Sequence, residues 1–221
     1  MFGLDDHIAS LSNGGSILIV LLVATLLGLR HATDPDHIAA VSTLVASGRE
    51  HARRRAFALG AWWGAGHALT LVLFGVPILL FEAYLPDVVQ RGAETAVAAL
   101  IVFLAVRLLL RHRHRHEHGR HEVRTPATAF GIGLVHGMGG SAGVGVLLLA
   151  AIPSTTLAVA SLGVLALFTA VSMTVVTTGF GVALGARRGR VVAAAPALGL
   201  ATLAFGCWYA AAAWSLMPYP F

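Results

Sequence analysis

Residues 28–46 read GLRHATDPDHIAAVSTLVA and decide the fold, because ionisable side chains interrupt a stretch that is otherwise apolar enough to cross a membrane. Five of them fall within eight positions: Arg30, His31, Asp34, Asp36 and His37. A charged side chain at the centre of a bilayer costs about 2.5 to 3.5 kcal/mol even on the most lenient insertion scale. The sequence therefore predicts that a partner or a ligand compensates these groups.

The composition is that of a membrane protein. Of the 221 residues, 57% are hydrophobic and only 11% are charged, and the mean hydropathy is +0.80. A soluble domain of this size carries more charge on its surface. The isoelectric point near 10.6 does not indicate nucleic-acid binding, because the basic residues interrupt hydrophobic segments and form no polar domain. We expect the lipid bilayer, and no nucleic acid, as a partner.

Six apolar segments are long enough to span a bilayer, which needs about 20 residues per helix. They are 15–47, 56–81, 93–110, 127–152, 157–185 and 191–217. The sequence thus predicts an all-α integral membrane protein with six transmembrane helices in a single domain, 1–221.

The basic residues predict the orientation. All fifteen are arginine, and thirteen of them lie in three regions, 49–55, 107–124 and 187–190. Loops rich in arginine remain in the cytoplasm. Both termini are then expected outside, in a multi-pass protein of the cytoplasmic membrane, and this agrees with an even number of spans.

A weak internal repeat is present. A shift of 105 residues places Gly28-Leu29-Arg30-His31 over Gly133-Leu134-Val135-His136. Three spans separate the two copies, so the second enters the membrane from the opposite side, as in many secondary transporters. We expect a 3+3 inverted repeat, with repeat 1 at about 15–110, a cytoplasmic loop rich in His and Arg at 111–126, and repeat 2 at about 127–217.

Pro35 predicts a break in the first helix. A proline cannot donate an amide to the carbonyl four residues earlier and collides with it, so the helix kinks or ends inside the polar stretch. In an unbroken helix His31, Asp34 and His37 would share one face, and Asp36 would point elsewhere. A break allows all four to reach one cavity.

Imidazole and carboxylate together favour a first-row divalent metal ion and are poor ligands for Mg²⁺ or Ca²⁺. Further ligand candidates lie in other spans, and the predicted metal-site residues are His31, Asp34, Asp36, His37, His67 and His136, with Ser141 as a path-lining residue. Two alternatives stay open. His67 or His136 alone can merely bind a neighbouring carbonyl, and Arg30 can pair with Asp34 in a salt-bridge network that removes Asp34 from the metal.

The predicted cytoplasmic loop contains a histidine tract. Its members are His112, His114, His116, His118 and His121. Such tracts can hold metal weakly and act as a buffer near a pore. A solvated basic loop that only fixes the orientation is the alternative.

The sequence RHATDPDH, with His31-x4-Asp36-His37, resembles the HX4DH signature of the nickel/cobalt transporter family. The resemblance extends to Gly66-His67 and to HGMGGSAG from His136, which is similar to the shorter branch of UreH-type nickel transporters linked to urease. It implies that His31, Asp36 and His37 are the principal site residues. Larger family members have about eight helices and usually alanine where Pro35 stands.

These observations predict a non-enzymatic secondary transporter, driven by protons or by membrane potential, that takes up nickel or cobalt ions. No GxxxxGK[ST] sequence for ATP is present. The ion is the substrate, and no prosthetic group is expected. An efflux protein for the same metals is the main alternative, and a membrane-embedded metalloenzyme is a second one. A homo-oligomer, and metallochaperones or nickel-enzyme maturation proteins in the cytoplasm, are compatible partners.

Overall fold

A computed structural model describes residues 17–45, 52–81, 86–113, 125–139, 146, 148–186 and 188–218. In this part of the chain the regular structure is α-helical. The helices are α1 (Ile17–His31), α2 (Pro35–Val45), α3 (Ala52–Phe81), α4 (Asp87–Arg113), α5 (Pro126–His136), α6 (Thr155–Ala186) and α7 (Arg188–Ala213).

Four helices contain stretches that are long and apolar enough to cross a membrane. These stretches are Arg53–Phe81, Asp87–Leu110, Thr155–Ala183 and Ala195–Ala213. Helices α1 and α2 pass the same test together, as one span bent by 45°. The described residues therefore contain four or five candidate spans, and the predicted class of α-helical membrane protein is confirmed at this level.

The bent span breaks beside Pro35. Helix α1 ends at His31, residues 32–34 form a turn, and α2 begins at Pro35. The Asp34 carbonyl accepts the first hydrogen bond of α2 from the Ile38 amide at 3.0 Å. Proline suits the first position of a helix because the amide it lacks would have no partner there. The break places the last residue of α1 and the first turn of α2 next to each other.

Helix α5 also ends at a histidine. The Thr125 hydroxyl accepts from the Thr128 amide at 3.2 Å and caps its start, with Pro126 in the first position. Its last residue is His136, and Gly137 follows as the cap. The fourth predicted span, 127–152, is therefore not one continuous helix, because the glycine-rich sequence after His136 leaves the helix. Residues 140–145 lie outside the described part of the chain.

Among the described helices, α3 and α6 form the most extensive contact, with α1 packed against α6 and α5 against α3. Helices α4 and α7 form a separate pair that contacts α2. Two glycines allow the close approaches. A Cβ atom at Gly28 would lie 2.7 Å from the Leu165 carbonyl oxygen and 3.0 Å from the Thr169 nitrogen. A Cβ atom at Gly133 would overlap the Trp63 carbonyl oxygen and lie 2.9 Å from the His67 nitrogen. Helices α1 and α5 thus each carry a glycine where they approach the backbone of α6 and α3, respectively.

The last helix is shorter than predicted. The sequence predicts a span over 191–217, but α7 ends at Ala213. Ser215 adopts a left-handed backbone conformation, with φ of 58°, and the Leu216 amide returns to the Ala211 carbonyl at 3.0 Å. This is a common way for a helix to end, and hydropathy does not detect it.

We predict that Gly133→Ala destabilises the protein by about 1–3 kcal/mol, because the added methyl group overlaps backbone atoms of α3 that cannot move independently. The control is Gly131→Ala in the same helix, where a Cβ atom meets nothing within 4 Å. It should leave stability unchanged or raise it, since alanine is the better helix former. Thermal unfolding in detergent measures both variants, and equal unfolding temperatures would contradict the close packing of α5 on α3.

Candidate metal site

Side chains from four helices meet in one buried cluster. It comprises His31 from α1, Asp36 and His37 from α2, His67 from α3, and His136 from α5. The most exposed member, His31, keeps only 8% of its surface, and Asp36 keeps none. The structure thus brings together five of the six predicted metal-site residues, from both halves of the chain.

Asp36 joins two of the histidines. One carboxylate oxygen, Oδ1, lies 3.0 Å from Nδ1 of His37, and the other, Oδ2, lies 3.2 Å from Nε2 of His136. Each ring nitrogen donates to the oxygen that it faces when it carries the proton. A fully buried carboxylate needs such partners, because its desolvation is costly. Asp36 therefore connects α2 to α5 and holds two imidazoles in place.

His31 and His67 approach each other through their ring nitrogens. Their Nε2 atoms are 2.9 Å apart. Two neutral imidazoles can share one proton across this gap. The distance also suits a common cation, because two nitrogens bound to one ion at about 2.0–2.1 Å and at right angles lie about 2.9 Å apart.

His37 occupies the middle of the cluster. Its ring centroid is 4.5 Å from that of His31, 5.1 Å from that of His67 and 4.4 Å from that of His136. Since Asp36 faces Nδ1 of His37, the opposite nitrogen Nε2 is available, and it has no hydrogen-bond partner among the described residues. The same holds for Nδ1 of His67 and of His136. Buried polar atoms normally have partners, so these free nitrogens favour a missing ligand.

Among the residues that the structure describes, two sets of three have the geometry to hold a metal ion. They are His31, His37 and His67, and Asp36, His37 and His136, and in each set the ligand atoms lie within 4.8 Å of one another. His37 belongs to both. Nitrogen with carboxylate oxygen suits Ni, Co, Zn, Cu or Fe as divalent ions. One ion, or one ion moving between two positions, fits the cluster.

Asp34 lies just outside both sets. Its Oδ2 atom is 3.3 Å from Nδ1 of His31, and its side chain is 15% exposed. The salt-bridge alternative named Arg30 as its partner, but Asp34 pairs here with His31, and Arg30 is exposed. A carboxylate in this position orients the imidazole and strengthens it as a ligand.

Of the other predicted residues, only His112 lies in the part of the chain that the structure describes. Ser141, His114, His116, His118 and His121 lie outside the described residues. His112 lies in the last turn of α4 and is half-buried.

Trp63 is a neighbour of the cluster that the sequence analysis missed. Its ring centroid lies 5.8 Å from that of His37 and 5.7 Å from that of His136, and the side chain is buried. It stands one turn before His67 on α3. The four-residue spacing of Trp63 and His67 in WGAGH places both on one face of the helix, and it could have indicated that Trp63 lies near the site.

Glu94 is a second buried carboxylate that the sequence did not single out. It is buried in α4, and its Oε1 accepts a hydrogen bond from the Gln90 amide at 3.1 Å. The signal was a carboxylate one residue inside the third predicted span, 93–110.

Two known proteins are similar to this chain. It is 29% identical over 139 residues to the urease accessory protein UreH of a Bacillus species, strain TB-90. The aligned region covers 57% of this chain and 60% of UreH. It is 35% identical over 94 residues to the high-affinity nickel transport protein of Cupriavidus necator. This aligned region covers 42% of this chain and 26% of that protein. In both cases this chain matches less than two thirds of the relative.

These relatives confirm the resemblance to the nickel/cobalt transporter family and to its UreH-type branch. No family model matches the chain, and no solved structure matches it. The two relatives carry the names of a transport protein and an accessory protein, and neither name denotes an enzyme.

We predict that Asp36→Asn weakens Ni²⁺ binding to the purified protein by about 100-fold, because the ion loses a buried negative charge that also fixes two imidazoles. Asp34→Asn is the matched control. It should weaken binding by only about tenfold, since Asp34 acts through His31. Isothermal titration in detergent measures both variants, and a larger loss for Asp34→Asn would invert the assigned order of the two carboxylates.

Proposed function

We propose that this protein is a secondary transporter that moves Ni²⁺ or Co²⁺ across the cytoplasmic membrane, in the direction of uptake. The observation that carries the proposal is the buried cluster of four histidines and Asp36 at the break of a candidate membrane span. The names of the two relatives support nickel as the metal.

The ligand set suits a carrier. Imidazole and carboxylate groups bind first-row ions firmly enough to replace their water. Thiolate ligands would hold such ions more tightly, and the cluster contains none. A transported ion must also leave, which requires sites of moderate affinity. In our proposal the ion loses its water to His31, His37, His67 and His136, while Asp36 supplies negative charge.

Charge balance supports the assignment. A divalent ion brings two positive charges to a place where each uncompensated charge is costly. Asp36 provides one negative charge within the cluster, and Asp34, which lies 3.3 Å from His31, provides the second nearby. The bound ion and the two carboxylates together are neutral.

We further propose six spans in a single domain with an inverted 3+3 repeat. The contacts support this arrangement, since α1 packs on α6 as α5 packs on α3. Gly28 and Gly133 oppose, in the same way, a carbonyl and the amide nitrogen four residues later on the facing helix. In such folds the substrate site lies near the middle of the membrane, where helices break.

The orientation follows from the arginines. We propose that both termini lie outside and that the start of α3, with the exposed Arg53 and Arg54, lies in the cytoplasm. The loop that carries the histidine tract is then cytoplasmic, and in our proposal it serves there as a weak metal buffer. The name of the UreH relative favours nickel-enzyme maturation proteins as the recipients of the ion.

We predict that cells with the His37→Ala variant accumulate no more nickel than cells without the protein, because His37 belongs to both ligand sets. His112→Ala is the matched control. It should retain uptake, because His112 lies at the end of α4 and belongs to neither ligand set. Radioactive nickel uptake at equal membrane expression measures both variants. Normal uptake by His37→Ala would remove the cluster from the mechanism.

The direction of transport is tested in the same cells. An importer makes them metal-loaded and sensitive to nickel, and this is the result we expect. An exporter makes them resistant and poor in metal, and that outcome would replace uptake by efflux while leaving the metal site in place.

A further inference from the structure

The two sides of the metal site differ along α3. His67 marks the level of the site, and Trp63 lies one turn towards the start of the helix at Ala52, whereas Thr70 lies one turn towards its end at Phe81. The surroundings of both residues are apolar, but they differ in how densely they are packed.

On the Trp63 side the packing is dense and apolar. The Trp63 side chain is 1% exposed, and it packs with a cluster that includes Leu59, Ala129, Ile132 and Met173. Its indole ring also contacts two site imidazoles, those of His37 and His136. The ring therefore stands between the ligands and the start of α3.

On the Thr70 side there is open space. A cavity of about 270 Å³ extends from Thr70 and Gly137, which stand near His67 and His136 in the sequence, to Ile78 and Val89, towards the end of α3 and the start of α4. Its lining is mainly apolar and includes none of the five cluster residues. Its walls come from α3, α4 and the residues that follow α5. Its volume equals that of several water molecules, because one water occupies about 30 Å³ in the liquid.

The Trp63 indole carries an unused donor. Its Nε1 atom is buried and has no hydrogen-bond partner among the described residues. A buried tryptophan with a purely structural role usually satisfies this N–H group. The exposed Trp214, by contrast, donates its Nε1–H to the Thr95 hydroxyl at 3.1 Å. An unsatisfied donor beside the site favours a side chain that finds its partner in another state of the protein.

We propose that Trp63 is the barrier that closes the metal site towards the start of α3, and that the cavity on the other side of the site belongs to the opposite end of the transport route. This inference rests on the proposed transport function. With the start of α3 in the cytoplasm, the cavity faces outwards and receives the ion, and displacement of the indole opens the route inwards. In this proposal Trp63 blocks the route and is not a metal ligand.

The test compares Trp63→Ala and Trp63→Phe with Trp62→Ala, which removes the neighbouring, half-exposed tryptophan as a matched control. Three quantities are measured: nickel binding to the purified protein, nickel flux down its gradient into proteoliposomes, and accumulation by cells. Trp63→Ala should bind nickel like the wild type and should lose about tenfold of its accumulation, while downhill flux rises, because a site open to both sides leaks. Trp63→Phe and Trp62→Ala should behave like the wild type.

Two results would overturn the inference. One is wild-type accumulation by Trp63→Ala, and the other is nickel binding without downhill flux in that variant. If Trp63→Ala fails to fold, Trp63→Leu takes its place, since leucine preserves apolar packing but no longer covers the imidazoles, and the same outcomes decide. A wild-type protein that binds and moves no nickel would refute the proposed function itself, whereas a transporting wild type with an unaffected Trp63→Ala variant refutes only the barrier.

Discussion

The carboxylate of Asp36 is the constraint on which the rest of the structure depends. It is fully buried, and its two oxygens face His37 and His136 on different helices. A charge in this position is tolerated only with hydrogen bonds and a compensating charge nearby. The break at Pro35 places Asp36 in the cluster. The close contact of Gly133 on α5 with α3 places His136 within hydrogen-bond distance of Asp36. The fold near the site therefore serves to satisfy one buried anion and the imidazoles around it.

The two halves of the chain contribute to the cluster unequally. Gly133 on α5 faces Trp63 and His67 of α3, while Gly28 on α1 faces Leu165 and Thr169 of α6. By this correspondence Thr169 occupies on α6 the place that His67 occupies on α3. Thr169 is fully buried, and its hydroxyl has no partner among the described residues. Similar helix packing thus places an imidazole of the cluster on α3 and a hydroxyl at the corresponding position of α6, so the two halves surround the cluster with different side chains.

Local sequence features predicted the helical membrane class and the break beside Pro35, because hydropathy and the missing proline amide act within one segment. They also identified the residues that meet in the cluster, since ionisable groups inside apolar segments are rare. Local sequence features do not predict which side chains from different helices contact each other. Nothing in the sequence indicates that Asp36 contacts His136 or that Trp63 covers the imidazoles of His37 and His136. The ends of α5 and α7 were misplaced for a related reason, because apolar residues continue past the point where the backbone leaves the helix.

The central claim is that the buried histidines and Asp36 bind a dehydrated divalent ion. X-ray absorption at the nickel edge of the purified, nickel-loaded protein tests this most directly. The account predicts at least three nitrogen or oxygen ligands at about 2.0–2.1 Å, with the outer-shell scattering of two or more imidazole rings. A spectrum of nickel surrounded by water oxygens alone, without imidazole scattering, would contradict it.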